Sequence, residues 1–173
     1  MWSEAEEDAT ARLLATLAAR RETVATAESL TGGLLSARMT DVPGASRSVV
    51  GGVVSYATRV KVSVLGVPSG VVEEHGVVSR ECAEAMAYGV RDRLDATWGL
   101  ATTGVAGPDE QDGRPVGTVW VAVAGPSGVT SRQLALGGDR LAIRQATCDA
   151  VLADLAARLR EVEVSGGEEG GLG

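Results

Sequence analysis

Side chains with a proton to give up near neutrality are scarce here: 173 residues include one histidine, His75, one lysine, Lys61, and two cysteines, Cys82 and Cys148. Neither cysteine belongs to a Cys-x-x-Cys or Cys/His spacing, so no zinc-binding pattern is present, and two buried thiols in a reducing compartment are expected. Phenylalanine is absent, and three Trp and two Tyr make up the aromatic complement. A net charge of -7 with a pI near 4.8 would repel a phosphate backbone. With so little to stack on bases, nucleic acid is excluded as a partner. Nor is there an 18-residue apolar run that could span a membrane. The first ten residues are acidic and lack the basic and apolar regions of a secretory signal, so the expectation is a cytoplasmic protein without a membrane partner.

The basic residues are lopsided. Sixteen Lys and Arg residues comprise fifteen arginines and Lys61 alone. An arginine keeps its proton at any usable pH, whereas a desolvated lysine can lose one. The single lysine could mark a need for a removable proton, although genome composition can produce the same bias.

The chain is long enough for one buried core, and 45% of its residues are hydrophobic. Ala9, Leu13, Leu14, Leu17 and Ala18 recur at helical spacing over residues 4–20, with acids early and arginines late. Thr23 to Ala27 is β-prone, and Leu30 to Met39 is helical until Asp41-Val-Pro-Gly stops it. Val49 to Ala57, valine-rich on both alternating faces, predicts a strand buried on both sides. A short helix follows over Thr58 to Leu65, then a turn-rich stretch around Pro68-Ser-Gly. Ser79 caps a helix with Cys82, Ala85, Met86, Gly89 and Val90 on one face. Thr97 to Thr103 reads as a strand ending in a Gly-rich loop; Gly117 to Ala124 and Val129 to Leu136 read as a hairpin joined at Gly125-Pro-Ser-Gly. Asp139 caps the last helix. The alternation predicts an α/β fold, a three-layer α/β/α sandwich around a mixed β-sheet. Residues 1–164 would form one domain, and residues 165–173 a disordered Gly/Glu-rich tail.

The densest group of candidate functional residues is Thr26-Ala-Glu-Ser29-Leu-Thr31-Gly32-Gly33, where a strand gives way to a helix. A hydroxyl there can act as a nucleophile with neighbouring N–H groups holding an oxyanion; equally, Ser29 can be a plain helix cap. No phosphate loop and no Gly-x-Gly-x-x-Gly after a strand is present, which sets aside nucleotide hydrolases and dinucleotide-binding folds. A nucleophilic serine needs a base. His75 lies in the acidic, turn-like Glu73-Glu74-His75-Gly76 and reads as a solvated surface residue; Lys61 is the competitor, if burial lowers its pKa. Arg140 and Arg144, four apart at the start of the last helix, could hold a phosphate or carboxylate, or pair with surface acids. Thr103-Gly104-Val-Ala-Gly-Pro is a loop of the kind that lines clefts in α/β sheets.

In order, Ala27-Glu-Ser29-Leu-Thr31-Gly32-Gly33, Pro43-Gly-Ala-Ser46, Gly51-Gly52-Val-Val-Ser-Tyr56 through Lys61, His75-Gly-Val-Val-Ser79, Thr103-Gly-Val-Ala-Gly-Pro108, Pro115-Val-Gly-Thr-Val-Trp120 and Gly138-Asp-Arg140 resemble the CinA C-terminal domain. Its stand-alone members are nicotinamide-nucleotide amidohydrolases, or nicotinamide mononucleotide deamidases. The resemblance spans about residues 5 to 160. It implies hydrolysis of nicotinamide mononucleotide to nicotinate mononucleotide and ammonia, with no metal or other cofactor. Ser29 would attack the amide, Lys61 would serve as base and then acid, and Tyr56 would tune or relay that proton. By the same resemblance, N–H groups around Thr31, Gly32 and Gly33 would hold the oxyanion, and Ser46, Thr103 and Gly104 would meet substrate. Arg140 or Arg144 would answer the 5′-phosphate. Relatives usually carry Asn where this chain has Thr58 and often Cys where it has Leu30, which puts the substrate contacts of Thr58 in question. Many also carry a larger N-terminal domain resembling molybdopterin-binding proteins; without one, a free-standing deamidase is expected, assembled as a homo-oligomer with the pocket near a subunit interface.

Overall fold

A computed structural model describes residues 2–167. Five strands form one mixed sheet: β1 (Val24–Glu28), β2 (Val49–Val54), β3 (Trp98–Gly104), β4 (Thr118–Gly125) and β5 (Gly128–Ala135). Their spatial order is β2-β1-β3-β4-β5. β1 runs parallel to both β2 and β3, while β3, β4 and β5 are mutually antiparallel neighbours. The parallel half needs helical crossovers, which the α-helices supply; the antiparallel half closes through a tight hairpin.

The α-helices are α1 (Glu4–Arg20), α2 (Leu34–Thr40), α3 (Thr58–Ser63), α4 (Ser69–His75), α5 (Arg80–Arg93) and α6 (Arg140–Gly167). α5 lies along β1, β3, β4 and β5, and α6 lies against β3 and β4 and touches α1 and α2. Each layer buries its own core. Leu13, Leu17, Leu35, Trp98, Leu100, Ile143 and Leu155 belong to one, and Ala25, Ala27, Met86, Val90 and Ala101 to the other. The period-two alternation of β1 and β3 feeds both, so these strands read as continuously apolar or small. The α/β/α sandwich around a mixed sheet is the architecture the sequence predicts.

Caps behave as their chemistry requires. Ser3 and Glu6 make a reciprocal capping box at α1, Ser79 Oγ accepts from the Cys82 N–H at 3.1 Å, and Asp139 Oδ1 accepts from the Ala142 N–H at 2.9 Å.

Three expectations need correction. β2 is an edge strand, not one buried on both sides: Val50 is 47% exposed and Val54 49%. Its valines reflect β-propensity, which edge and central strands share. The turn-rich stretch after Pro68 and the acidic segment at His75 together form α4, with Pro68 at the helix entry, where its missing N–H costs nothing. Helix α6 continues through Gly167, past Ser165, where composition alone would start a tail. Residues 168–173 lie outside the described residues. Among those described, no helix is long and apolar enough to cross a membrane.

Candidate active site

Carboxyl ends of parallel strands are where α/β sheets place ligands, and the crevice is widest where neighbouring crossovers leave on opposite faces. Here β1 leads into α2 on one face, while the chain from β2 to β3 travels over the other through α3, α4 and α5. Ser29 directly follows β1, Tyr56 follows β2 by two residues, and Thr103 and Gly104 end β3. A cleft of about 150 Å3 opens there, lined by Ser29, Leu30, Tyr56, Thr58, Lys61, Val77, Val78, Thr103, Gly104, Val105, Ala106, Gly107, Asp109, Gln111 and Arg140.

Lys61 reaches this cleft from the last turn of the short helix α3. Its Nζ stands 2.9 Å from Ser29 Oγ and donates to the Ser55 carbonyl at 2.6 Å. Only 1% of the lysine is exposed. Burial holds its pKa below the ordinary lysine value. The buried Cys82 thiol nearby, itself pushed up to about 11 by burial, stays protonated at neutral pH and offers no counter-charge. The sequence leaves open whether Lys61 is a solvated surface residue; it is buried and in contact with the serine. His75 stands elsewhere. It is on α4, 3.8 Å from Glu74 and 3.9 Å from Glu81, and it does not line the cleft.

The turn after Ser29 differs from the expected helix start. Leu30 to Gly33 precede α2, because Gly32 (φ +58°) and Gly33 (φ +99°) adopt left-handed backbone that delays the helix to Leu34. The N–H of Gly32 donates to Ser29 O at 3.1 Å, and that of Ser29 to Thr102 O at 2.9 Å. The Gly33 N–H donates to Glu28 Oε2 at 3.0 Å. The amides of both glycines are therefore spent within the chain and cannot hold an oxyanion, a correction to the sequence reading. Those of Leu30 and Thr31 have no acceptor among the described residues. The Thr31 hydroxyl is buried against Thr102 Oγ1 at 2.7 Å, away from solvent.

Arg140 and Arg144 divide two tasks. Arg144 donates to the carbonyls of Leu30 at 3.0 Å and Thr31 at 2.8 Å, bracing the turn from α6. Because a trans peptide sets N–H opposite C=O, the Leu30 carbonyl held by Arg144 also fixes the direction of the Thr31 N–H. Arg140 instead lines the cleft, donating to Tyr56 Oη at 2.9 Å and to the Gly107 carbonyl. Tyr56, 60% exposed, thus meets Arg140 at the mouth and not the Ser29–Lys61 contact. Thr103 Oγ1 donates to the Val77 carbonyl at 2.7 Å, fixing the wall formed by Val77 and Val78. Ser46, in the short 3-10 turn Ala45–Arg47, is not among the lining residues.

Sequence reasoning passes over Glu28, Ser55, Asp109 and Gln111. Ser55 acts through its backbone carbonyl, which no side-chain pattern reveals. Glu28 has a readable signal, an acid beside the start of a helix. Among the described residues, no three His, Cys, Asp or Glu side chains converge as metal ligands would.

A mixed α/β sheet with a buried lysine against a serine at the carboxyl end of its first strand defines the class of site. The chain belongs to the CinA C-terminal domain family, whose model matches residues 6–159. It is 57% identical over 132 residues to a CinA-like protein of Frankia casuarinae, covering 76% of this chain and 30% of that protein. A putative competence-damage inducible protein of Desulforamulus reducens is 52% identical over 130 residues, covering 75% and 32%. The chain thus spans about a third of the length of these curated relatives. Among solved structures, the competence/damage inducible protein CihA of Agrobacterium tumefaciens superposes with a TM-score of 0.88 at 34% identity, covering 92% of this chain and 98% of that one. A CinA superfamily protein of Klebsiella pneumoniae gives 0.87 at 30% identity, covering 90% and 98%.

Proposed function

We propose that the chain is an amidohydrolase that converts nicotinamide mononucleotide to nicotinate mononucleotide and ammonia through Ser29 and Lys61. The observation that carries this reading is the 2.9 Å approach of Lys61 Nζ to Ser29 Oγ inside the cleft. A neutral amine that donates one N–H to Ser55 O can direct its lone pair at the serine hydroxyl. Ser29 Oγ attacks the carboxamide carbon as its proton passes to Lys61. Collapse of the tetrahedral adduct breaks the C–N bond, and the same proton leaves on ammonia. Water, deprotonated by the restored amine, then attacks the acyl-serine ester; the C–Oγ bond breaks, Lys61 returns the proton to Ser29 Oγ, and the carboxylate is freed. The N–H groups of Leu30 and Thr31 are the candidate oxyanion donors.

The cleft is smaller than the roughly 300–1,000 Å3 pockets that engulf drug-sized ligands. It suits the amide-bearing ring, with ribose and phosphate lying along the mouth towards Arg140. Purified protein supplied with nicotinamide mononucleotide should release ammonia and the acid product in equal amounts, followed by a coupled ammonia assay and chromatography. Binding without ammonia release would overturn the reading in favour of a non-catalytic nucleotide-binding module. Arg140→Ala should raise KM by about 10-fold or more while kcat changes little, because a phosphate contact far from the amide binds ground and transition states alike. A fall in kcat at unchanged KM would place Arg140 in the chemistry instead.

A further inference from the structure

Glu28 is fully buried at the end of β1, one residue before the serine. Strand alternation sends the two side chains to opposite faces: Ser29 faces the cleft, and Glu28 turns to the side of α2. There Oε2 accepts from the N–H groups of Gly33 and Leu35, each at 3.0 Å. Oε1 accepts from the Ser36 N–H at 2.8 Å and the Ser36 hydroxyl at 2.6 Å. The carboxylate therefore takes up amides that a helix start would otherwise turn to a ligand, and it does so with a charge suited to the positive helix end. It also fastens residues 33–36 to the strand that delivers the nucleophile, closing Ser29 to Gly32 into a loop tied at both ends.

We infer that Glu28 is a positioning residue for Ser29: its carboxylate fixes the turn that carries the serine and the free N–H groups of Leu30 and Thr31. The same hydrogen bonds make the α2 N-terminus unavailable to a substrate anion, leaving that task to the mouth of the cleft. The inference rests on Ser29 as nucleophile but not on the identity of the substrate.

Glu28→Gln keeps the shape, offers one acceptor oxygen in place of two, and sets an amide NH2 against backbone N–H groups. Displacements of about 1 Å at a reacting group cost on the order of 100-fold. The folded variant should lose about 10-fold or more in kcat with KM within about threefold of the parent. Stoichiometric labelling of Ser29 by a small fluorophosphonate, which needs no nucleotide recognition, should slow in parallel. Ser36→Ala, which removes the hydroxyl's bonds to Glu28 Oε1 and to Thr26 Oγ1 but leaves the carboxylate its three backbone donors, should show a smaller loss in the same two quantities and decides the matter if Glu28→Gln does not fold. A lowered Tm with parental kcat and labelling rate would make Glu28 purely structural and overturn the inference. If the parent labels at Ser29 yet releases no ammonia from nicotinamide mononucleotide, the substrate assignment falls, while the labelling comparison still tests Glu28.

Discussion

Ser29→Ala is expected to abolish ammonia release from nicotinamide mononucleotide, lowering kcat by about 10,000-fold or more. Losses of that size arise when the group that forms the covalent bond is deleted, because the remaining donors can stabilise a transition state that no longer has its attacking atom. The fold should not suffer. Ser29 is only half-buried, its backbone N–H bond to Thr102 O survives the substitution, and the hydroxyl gives up only its hydrogen bond with Lys61. Unchanged near-ultraviolet circular dichroism and Tm alongside abolished turnover would confirm a chemical role. Turnover that persists would require another nucleophile and dismantle the proposed mechanism.

Lys61 should give a comparably large effect with an opposite signature in stability. Lys61→Arg keeps the positive charge but cannot accept a proton, and is expected to cost about 1,000-fold or more in kcat. The parent's kcat/KM should rise with pH through a limb set by the lysine pKa, which burial lowers from the ordinary 10.5. The same shift fixes the sign of a stability effect. Between the lowered folded pKa and the unfolded value, the unfolded chain binds more protons than the folded one, so stability increases with pH across that window. Burying the amine is thus a burden at neutral pH. Lys61→Met, which removes the desolvated group and fills the space, should raise Tm at pH 7 by about 2–4 °C, on the order of 1 kcal/mol for a chain of this size. The difference between variant and parent should shrink as pH approaches 10.5. Equal Tm differences at pH 7 and pH 10 would show that Lys61 is not carrying a desolvation penalty.

Much of this architecture is legible from periodicity. The stripes of α1, α5 and α6, the hairpin of β4 and β5, and the caps at Ser79 and Asp139 obey short-range rules that tertiary packing leaves intact. β2 is harder, because two-residue alternation reports side-chain shape and not the number of neighbours a strand will have. α4 is missed because Pro and Gly near its start dominate a local reading, although proline at a helix entry is favourable. In the site, Ser29 has a signal in its position between strand and helix. The contact with Lys61 has none, since the two residues lie 32 apart and meet only through the β1–β2 pairing. The glycines illustrate the opposite error. Gly32 and Gly33 look like amides offered to a ligand, yet their left-handed backbone turns those amides inward, to Ser29 O and to Glu28.

The division of the sheet into parallel and antiparallel halves has a consequence for how the molecule assembles. β4 and β5 join through a two-residue connection, so their pairing closes at small loop entropy and can form early. The strands that carry Ser29 and the backbone around Ser55 pair in parallel across the whole of α2 and its following turn, and β3 reaches β1 only after three more helices. Long loops of this kind close slowly. The proposed chemistry therefore belongs to the later-forming half of the sheet. During refolding, the far-ultraviolet signal of helices and hairpin should recover before ammonia-releasing activity, with the union of serine and lysine among the last to form.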